Sequence, residues 1–463
     1  MKRFIAAAVL CVLLLCFFSS CSGNVNVGNG SDGSSYGGNE GSGGSDSSGS
    51  SSGSETSGGG NVPSVDGGET ITPSPDGSTP LWPTDSSDTS DILDSSEDSG
   101  SDSGPAIEYQ PKNEITLTAY YGRSKLSSNE RKIYDYIYGC LKENMHLVVF
   151  LEGVDVSREN LRKIINCIIF DNPDLISVYH SYREYRGSTD DKLYRLEIGE
   201  REDSYKTAAK LSEANAVLNG IIEPLKTKSD YDKVKGVHDW LCKNVVYDTE
   251  IVGKSLEEQA KSDSYNLYGA FVKKKGVCEA YAEAFQYAMY KLGVQCLRVS
   301  GVTDTGVNHV WNIVLIDNQY YHIDVTYDDP TWNPVIKDFV SYSYFCITET
   351  EMLADRRYSS EDNYPLPKCE SKAANYYIKE NRYFLNADNL QVFADLLAKD
   401  AKAGHKTCSF RFSDAEYRDE VRKNLSLILY AANVKCQNRI KEARVTMTNN
   451  PAIKDLILII EYN

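Results

Sequence analysis

From Ser22 to about Pro105 the chain is almost entirely serine, glycine and aspartate, with no lysine or arginine and only scattered apolar residues. Such a stretch cannot bury enough apolar surface to offset the entropy lost on ordering, so it reads as a long disordered linker. As a flexible tether of about 84 residues it would reach roughly 50 Å. Folding is therefore confined to the chain beyond Pro105. The 463-residue chain is expected to divide into a leader at 1–20, a linker at 21–106 and folded regions at 107–226, 227–368 and 369–463. The linker also holds fourteen acidic residues of a chain whose net charge is −17. Setting linker and leader aside leaves roughly −5, which points to no particular substrate charge. There is no basic patch, phosphate-cradling glycine loop or base-stacking motif, so nucleic acid is not an expected partner.

The leader opens Met1, Lys2, Arg3 and runs apolar from Phe4 to Phe18. It is too short to span a bilayer comfortably and has the charged start and small-residue end of an export signal. Phe18-Ser19-Ser20-Cys21 resembles a bacterial lipobox, with Phe18 where leucine is usual. Cys21 is accordingly the expected lipid-bearing residue, tethering the protein to the outer face of the cell membrane. Simple secretion after cleavage near Ser20 is the alternative.

Nine cysteines lie beyond Cys21, and no two form a Cys-x-x-Cys pair, so the commonest zinc signature is missing. No metal and no cofactor is expected. Most of these cysteines sit in apolar stretches such as "RKIINCIIF", where a buried free thiol fits as well as a disulfide.

In the first folded region "ITLTAYY" and "LVVFLEG" read as strands. Ser127-Ser128-Asn129-Glu130 and "SRENLRKIINCIIF" read as capped helices, and "SVYHSYREY" and "DKLYRLEIG" as two further strands. His146 and His180 there are expected to be structural. The last region alternates strand-like "NYYIKENRYFL", "KTCSFRF", "ARVTMTN" and "DLILIIEYN" with helices near 387–401 and 413–432, as a small α/β domain. The middle region starts a helix at Ser229-Asp230 with Val234, Val237, Trp240 and Leu241 on one stripe. His238 beside that stripe is expected to be a satisfied structural histidine.

The chemistry concentrates in "KKKGVCEAYAEAFQYAMYKLG", "VNHVWNIVLID" and "NQYYHIDVTYDDP". Val277, Tyr281, Ala284, Phe285, Ala288 and Leu292 recur at helical spacing, Gly293 is a C′ glycine, and Gly276 is read as a sharp turn into the helix. Cys278 then lies in the first turn, where unpaired amides and the helix dipole favour a thiolate. Its own amide would face a developing oxyanion. A buried small hydrophobe is the alternative for a lone cysteine.

"HVWNIVLI" and "YYHIDVT" pair around an Asp317-Asn318 turn. A two-residue loop sets Ile316 opposite Gln319, Val314 opposite Tyr321 and His309 opposite Thr326. Asp324 then shares a face with His309 at a diagonal position that an imidazole and a carboxylate can bridge. His322 shares that face too and is the rival base, ranked as structural. Thiol, imidazole and carboxylate are the parts of covalent acyl transfer by cysteine.

These stretches, with "YDKVKGVHDWLCKNVVYD" and "YSYFCITETEM", resemble successive blocks of the transglutaminase-like superfamily, specifically its exported bacterial members. Tyr327 stands where that family often has tryptophan. The resemblance implies an α+β chain with a papain-like core, in which a helix bearing the nucleophile packs on an antiparallel sheet, flanked by smaller α/β regions. It implies a Cys278-His309-Asp324 triad acting on amide bonds of proteins or peptides, cell-wall peptides included, through a thioester. Hydrolysis and acyl transfer to an amine share that intermediate. Tyr247, Asn266 and Tyr268 are alternatives for a second oxyanion donor. A non-catalytic surface scaffold of the same fold is the rival function. A lasting thioester adhesin would need a nearby glutamine, and Gln286 lies too deep in the helix.

Overall fold

Two serine caps organise the start of the folded chain. Ser127 and Glu130 form a reciprocal capping box that starts α1, Ser128–Lys142, and Ser157 caps α2, Arg158–Asp171. Both helices cover one face of a three-stranded sheet made of β1, Leu147–Val154, β2, Val178–Arg186, and β3, Leu193–Glu200, with β3 in the centre. The computed structural model describes residues 24–26, 120–202, 204–329, 340–359 and 366–463. The expected export signal, Cys21 and all of the expected linker but residues 24–26 lie outside these. Asn24–Asn26 adds a short antiparallel strand to the edge of the C-terminal sheet, opposite Glu442–Arg444, where the composition led us to expect no regular structure.

Two local expectations need correcting. Of "ITLTAYY", residues 115–119 lie outside the described residues, and Tyr121 opens a helical turn, Tyr121–Ser124. The amides of Gly122 and Arg123 donate to the buried Asp171 carboxylate at 2.8 Å each, which holds that turn on α2. "NYYIKENRYFL" is a capped helical turn, Tyr376–Lys379, followed by a two-residue strand, Tyr383–Phe384. The Asn375 side chain accepts from the Tyr377 amide, and that local cap outweighs the aromatic strand propensity.

Between the first sheet and the core runs a helix that the linear pattern did not disclose, α3, Ser204–Ile222. It buries Ala214, Leu218 and Ile222, spaced four apart, against α4, Asp230–Asn244. The centre of the molecule is α5, Cys278–Lys291, buried on nearly every side. Tyr281, Ala284, Phe285 and Ala288 are at most 1% exposed. Burying a side chain the size of Phe285 contributes roughly 2–3 kcal/mol. Gly293 ends α5 at φ +75°, the left-handed geometry that glycine adopts without strain.

α5 lies on a four-stranded antiparallel sheet in the order β7, β4, β5, β6: Arg356–Tyr358, Cys296–Thr303, Asn308–Ile316 and Gln319–Ile323. The opposite face of this sheet shares a core with the first region, through Leu297, Val299, Trp311 and Ile313. Polar contacts tie the two halves as well. Arg298 donates to the Ile169 carbonyl, Gln286 donates to the Phe170 carbonyl at 2.7 Å, and His180 lies 2.6 Å from Glu279. The C-terminal region has its own core and sheet, built on β8, Thr407–Phe412, β9, Ile440–Thr446, and β10, Asp455–Tyr462. Arg411 reaches from it to the Ser343 carbonyl at 2.6 Å, and Asn450 to the Glu351 carbonyl at 2.8 Å. The nine cysteines from Cys140 to Cys436 are all buried, and none is in a disulfide among the described residues.

Candidate active site

The entry to α5 is set by backbone pairing. Val246–Tyr247 runs parallel to Lys275–Gly276, the Asp248 amide donates to the Gly276 carbonyl at 2.9 Å, and the Val277 amide donates to Ser264 at 2.8 Å. Gly276 is needed for close packing rather than for a special backbone angle. A Cβ there would sit 2.6 Å from that of Ala280. With Val277 as N-cap, Cys278 is the first helical residue, and the amides of that turn have no intrahelical acceptor. Cys278 is 5% exposed and packs against Ala282 and Val310. No side chain caps the helix end.

The hairpin register follows the turn. Asp317 and Asn318 both take positive φ, at 48° and 61°, and Ile316 pairs with Gln319 and Val314 with Tyr321. The ladder stops at Asn312 opposite Ile323, so His309 has no partner on β6 and does not face Thr326. The chain turns there because Asp324 becomes the N-cap of a helical turn, Val325–Asp328, with Oδ1 accepting the Tyr327 amide at 3.1 Å. On the other side His309 pairs with Gly301 of β4.

The geometry at the heart of the site is simple. His309 Nε2 lies 2.7 Å from Asp324 Oδ2, with both side chains fully buried. Nδ1 makes no hydrogen bond of good geometry, and the Cys278 thiol is close enough to add to the ring's affinity for a proton. Burial alone would push this imidazole down. The Asp324 carboxylate more than reverses that, and with Cys278 it raises the ring's pKa to about 10. Burial would likewise raise Asp324, yet His309 and Arg356 hold it down at about 2. Tyr327 packs edge-on against His309 with ring centres 4.9 Å apart, and Trp311 stacks with it at 6.0 Å.

His322 is engaged elsewhere. Its Nδ1 accepts from Trp311 Nε1 at 3.0 Å and its Nε2 lies 3.1 Å from the Tyr358 hydroxyl. Burial and the charge of Arg356 push it down to about 3, so it stays neutral. Of the three residues considered for a second oxyanion donor, two are in structural bonds. Asn266 Oδ1 accepts the Tyr268 amide at 3.0 Å, and the Tyr268 hydroxyl donates to Glu213 at 2.9 Å. Tyr247 sits beside Gly276 with its ring stacked on Tyr281. The Gln286 amide is spent on the carbonyls of Phe170 and Cys296.

Two features escaped linear reading. Arg356, on the edge strand β7, donates from Nη1 to Asp324 Oδ2, and both side chains are fully buried. It lies in "ADRRYSS", a stretch with neither apolar alternation nor a cap to draw the eye. Its place depends on Gly301, since a Cβ there would fall 2.3 Å from the Arg357 carbonyl and 2.5 Å from the Trp311 ring. The second feature is another thiol–imidazole–carboxylate cluster. His238 Nε2 lies 3.8 Å from Cys242 Sγ and 3.2 Å from Asp328 Oδ2, and Nδ1 lies 3.1 Å from Asp239. Burial pushes the Cys242 thiol up to about 12, and its proton points to the Val325 carbonyl at 3.7 Å. The expected structural histidine is thus a clamp between α4 and the turn that carries Asp324. Among the described residues no group of His, Cys, Asp and Glu could hold a metal ion, and no helix is long and apolar enough to cross a membrane.

A profile of the transglutaminase-like superfamily matches residues 218–325, which take in Cys278, His309 and Asp324 and stop short of Arg356. Over 200 residues the chain is 23% identical to kyphoscoliosis peptidase of Mus musculus and 22% identical to that of Homo sapiens. Each match covers 40% of this chain and 28% of the relative, so the chain spans under a third of the length of these curated relatives. A solved structure described as a TGase is 18% identical over 39% of this chain and 50% of its own, with a TM-score of 0.22. Residues 218–325 are a transglutaminase-like domain.

Proposed function

We propose that the protein is a cell-surface thiol enzyme that cleaves or transfers amide bonds of proteins or peptides through a thioester on Cys278. The observation that carries this reading is His309 held by Asp324 at 2.7 Å, with the thiol of Cys278 at a helix N-terminus beside the ring. Cys278 sulfur attacks a carboxamide or peptide carbonyl carbon. The first-turn amides stabilise the oxyanion, and imidazolium at His309 gives its proton to the leaving amine. Asp324 keeps a proton on Nε2, leaving Nδ1 to serve the sulfur. Water or a second amine then breaks the thioester. The lipobox at Cys21 supports placement on the outer membrane face, with secretion as the alternative, and cell-wall peptides or surface proteins as substrates.

The test uses the full chain with casein, or a wall-peptide panel, and a labelled primary amine. Cleavage or amine incorporation that vanishes in Cys278→Ala supports the enzyme. The 5% exposure of Cys278 favours the rival reading, a scaffold that binds without turnover. Iodoacetamide at neutral pH separates the two, since labelling of Cys278 no faster than a free small thiol would sink the enzyme.

A further inference from the structure

The Asp324 carboxylate is gripped by more groups than a triad requires. Oδ2 receives both His309 Nε2 and Arg356 Nη1, and Oδ1 receives the Tyr327 amide. The guanidinium is itself fixed. Its Nε donates to Asp355 Oδ1 at 2.9 Å, and it lies over the rings of Tyr327, Tyr344 and Trp311 at 4.4, 4.8 and 5.5 Å. The Tyr344 hydroxyl in turn donates to Asp355. A planar, permanently charged fork is suited to holding one carboxylate oxygen in place.

We propose that Arg356 is a positioning residue, whose guanidinium keeps the Asp324 carboxylate ionised and aimed at His309 throughout the reaction. This rests on the reading of Cys278, His309 and Asp324 as a working triad. The physical need arises because His309 changes charge. While the ring is imidazolium, Asp324 has a cationic partner. Once the ring gives its proton to the leaving amine, a buried carboxylate facing a neutral ring would be left without one. It would then compete for the next proton. A fixed cation on the same oxygen removes that competition, so the proton stays on the ring. The same cation weakens the pull of Asp324 on the ring and limits how tightly the imidazolium holds its proton. The charged and titratable groups facing the ring are Cys278 from α5, Asp324 from the end of β6 and, through Asp324, Arg356 from β7. Tyr327 and the neutral His322 lie nearby, and Asp355 balances the outer side of Arg356.

The experiment is an NMR titration of the His309 ring in the full chain with labelled histidine, assigned through His309→Gln. It compares wild type with Arg356→Met and Arg356→Lys. Removing the positive charge raises the His309 midpoint by about one pH unit, whereas Lys, which keeps the charge, shifts it by less than half as much. Lys nonetheless slows iodoacetamide labelling of Cys278 about threefold or more, because the fork geometry is lost. A purely structural arginine would lower the unfolding temperature of both variants and leave the midpoint where it was, which overturns the proposal. Should the Met variant not fold, Arg356→Gln takes its place with the same predicted rise. Wild-type Cys278 that resists labelling would instead sink the thiol-enzyme reading. The His309 midpoint is read independently of that.

Discussion

Two places in this molecule bring a thiol, an imidazole and a carboxylate together, and they differ in where the thiol sits on its helix. Cys278 is the first residue of α5, whereas Cys242 lies in the last turn of α4, four residues after its own histidine. A helix start favours negative charge and a helix end opposes it. Burial acts in the same direction, raising the Cys242 thiol to about 12, and that thiol donates to the Val325 carbonyl. His238 is also committed on both nitrogens, to Asp239 and Asp328, while Nδ1 of His309 makes no hydrogen bond of good geometry. Residue types within bonding reach therefore do not make a nucleophile. On the proposed reading, the helix start and the spare ring nitrogen set Cys278 apart.

The contrast breaks first at the sulfurs. Cys278→Ala should abolish turnover and the fast phase of alkylation, a loss of at least ~10³-fold, whereas Cys242→Ala should change the rate by less than about threefold. Peptide mapping of the alkylated sites checks both.

The carboxylates come next. Asp324→Asn should cost about 10²- to 10⁴-fold in turnover, because the ring loses its orienting partner. Asp328→Asn should act mainly on folding. It leaves His238 and the Tyr344 amide short of a buried partner, at a cost of about 3–5 kcal/mol in urea unfolding. Equal losses of turnover in the two variants would erase the distinction.

A backbone change sharpens the comparison further. Gly301→Ala would press on the Arg357 carbonyl and the Trp311 ring, displacing β7 and Arg356 with it. Turnover should fall about tenfold or more with an unfolding cost of roughly 1–3 kcal/mol, while the His238 cluster stays intact.

The smallest effect is in pH. His309 binds its proton more tightly folded than its ordinary 6.5, so its contribution to stability is complete below about 6.5 and is lost as pH rises towards 10. Asp324 is depressed from 3.8, so its contribution is complete above that value and lost as pH falls through about 2. The stability difference between wild type and Asp324→Asn should accordingly be flat from about pH 4 to 6.5 and shrink above it. Urea unfolding across that range measures it.

Much of the site was legible because its signals are local. Helical spacing after Cys278 and the Asp317-Asn318 turn are short-range patterns, and a two-residue loop fixes which side chains share a face. The failures are of the opposite kind. Arg356 meets Asp324 across 32 residues, and Asp328 meets His238 across 90, through the curl of a chain that leaves its strand at Ile323. That curl comes from Asp324 acting as a cap, a role that its own side chain shares with orienting His309. α3 escaped because Ala214 is too small to mark an apolar stripe, although it is fully buried in place.

The contacts that reach α5 from the preceding region bear on how this protein can be cut. Glu279, the neighbour of Cys278, is met by His180, and the strand behind it is held by Arg298 on the end of α2. A fragment trimmed to the homologous segment alone would strip those partners away and bare the rear surface of its sheet to water. The segment that the profile marks shares its rear core with residues from Tyr121 to Ile198, so a fragment that is to keep that backing has to include them.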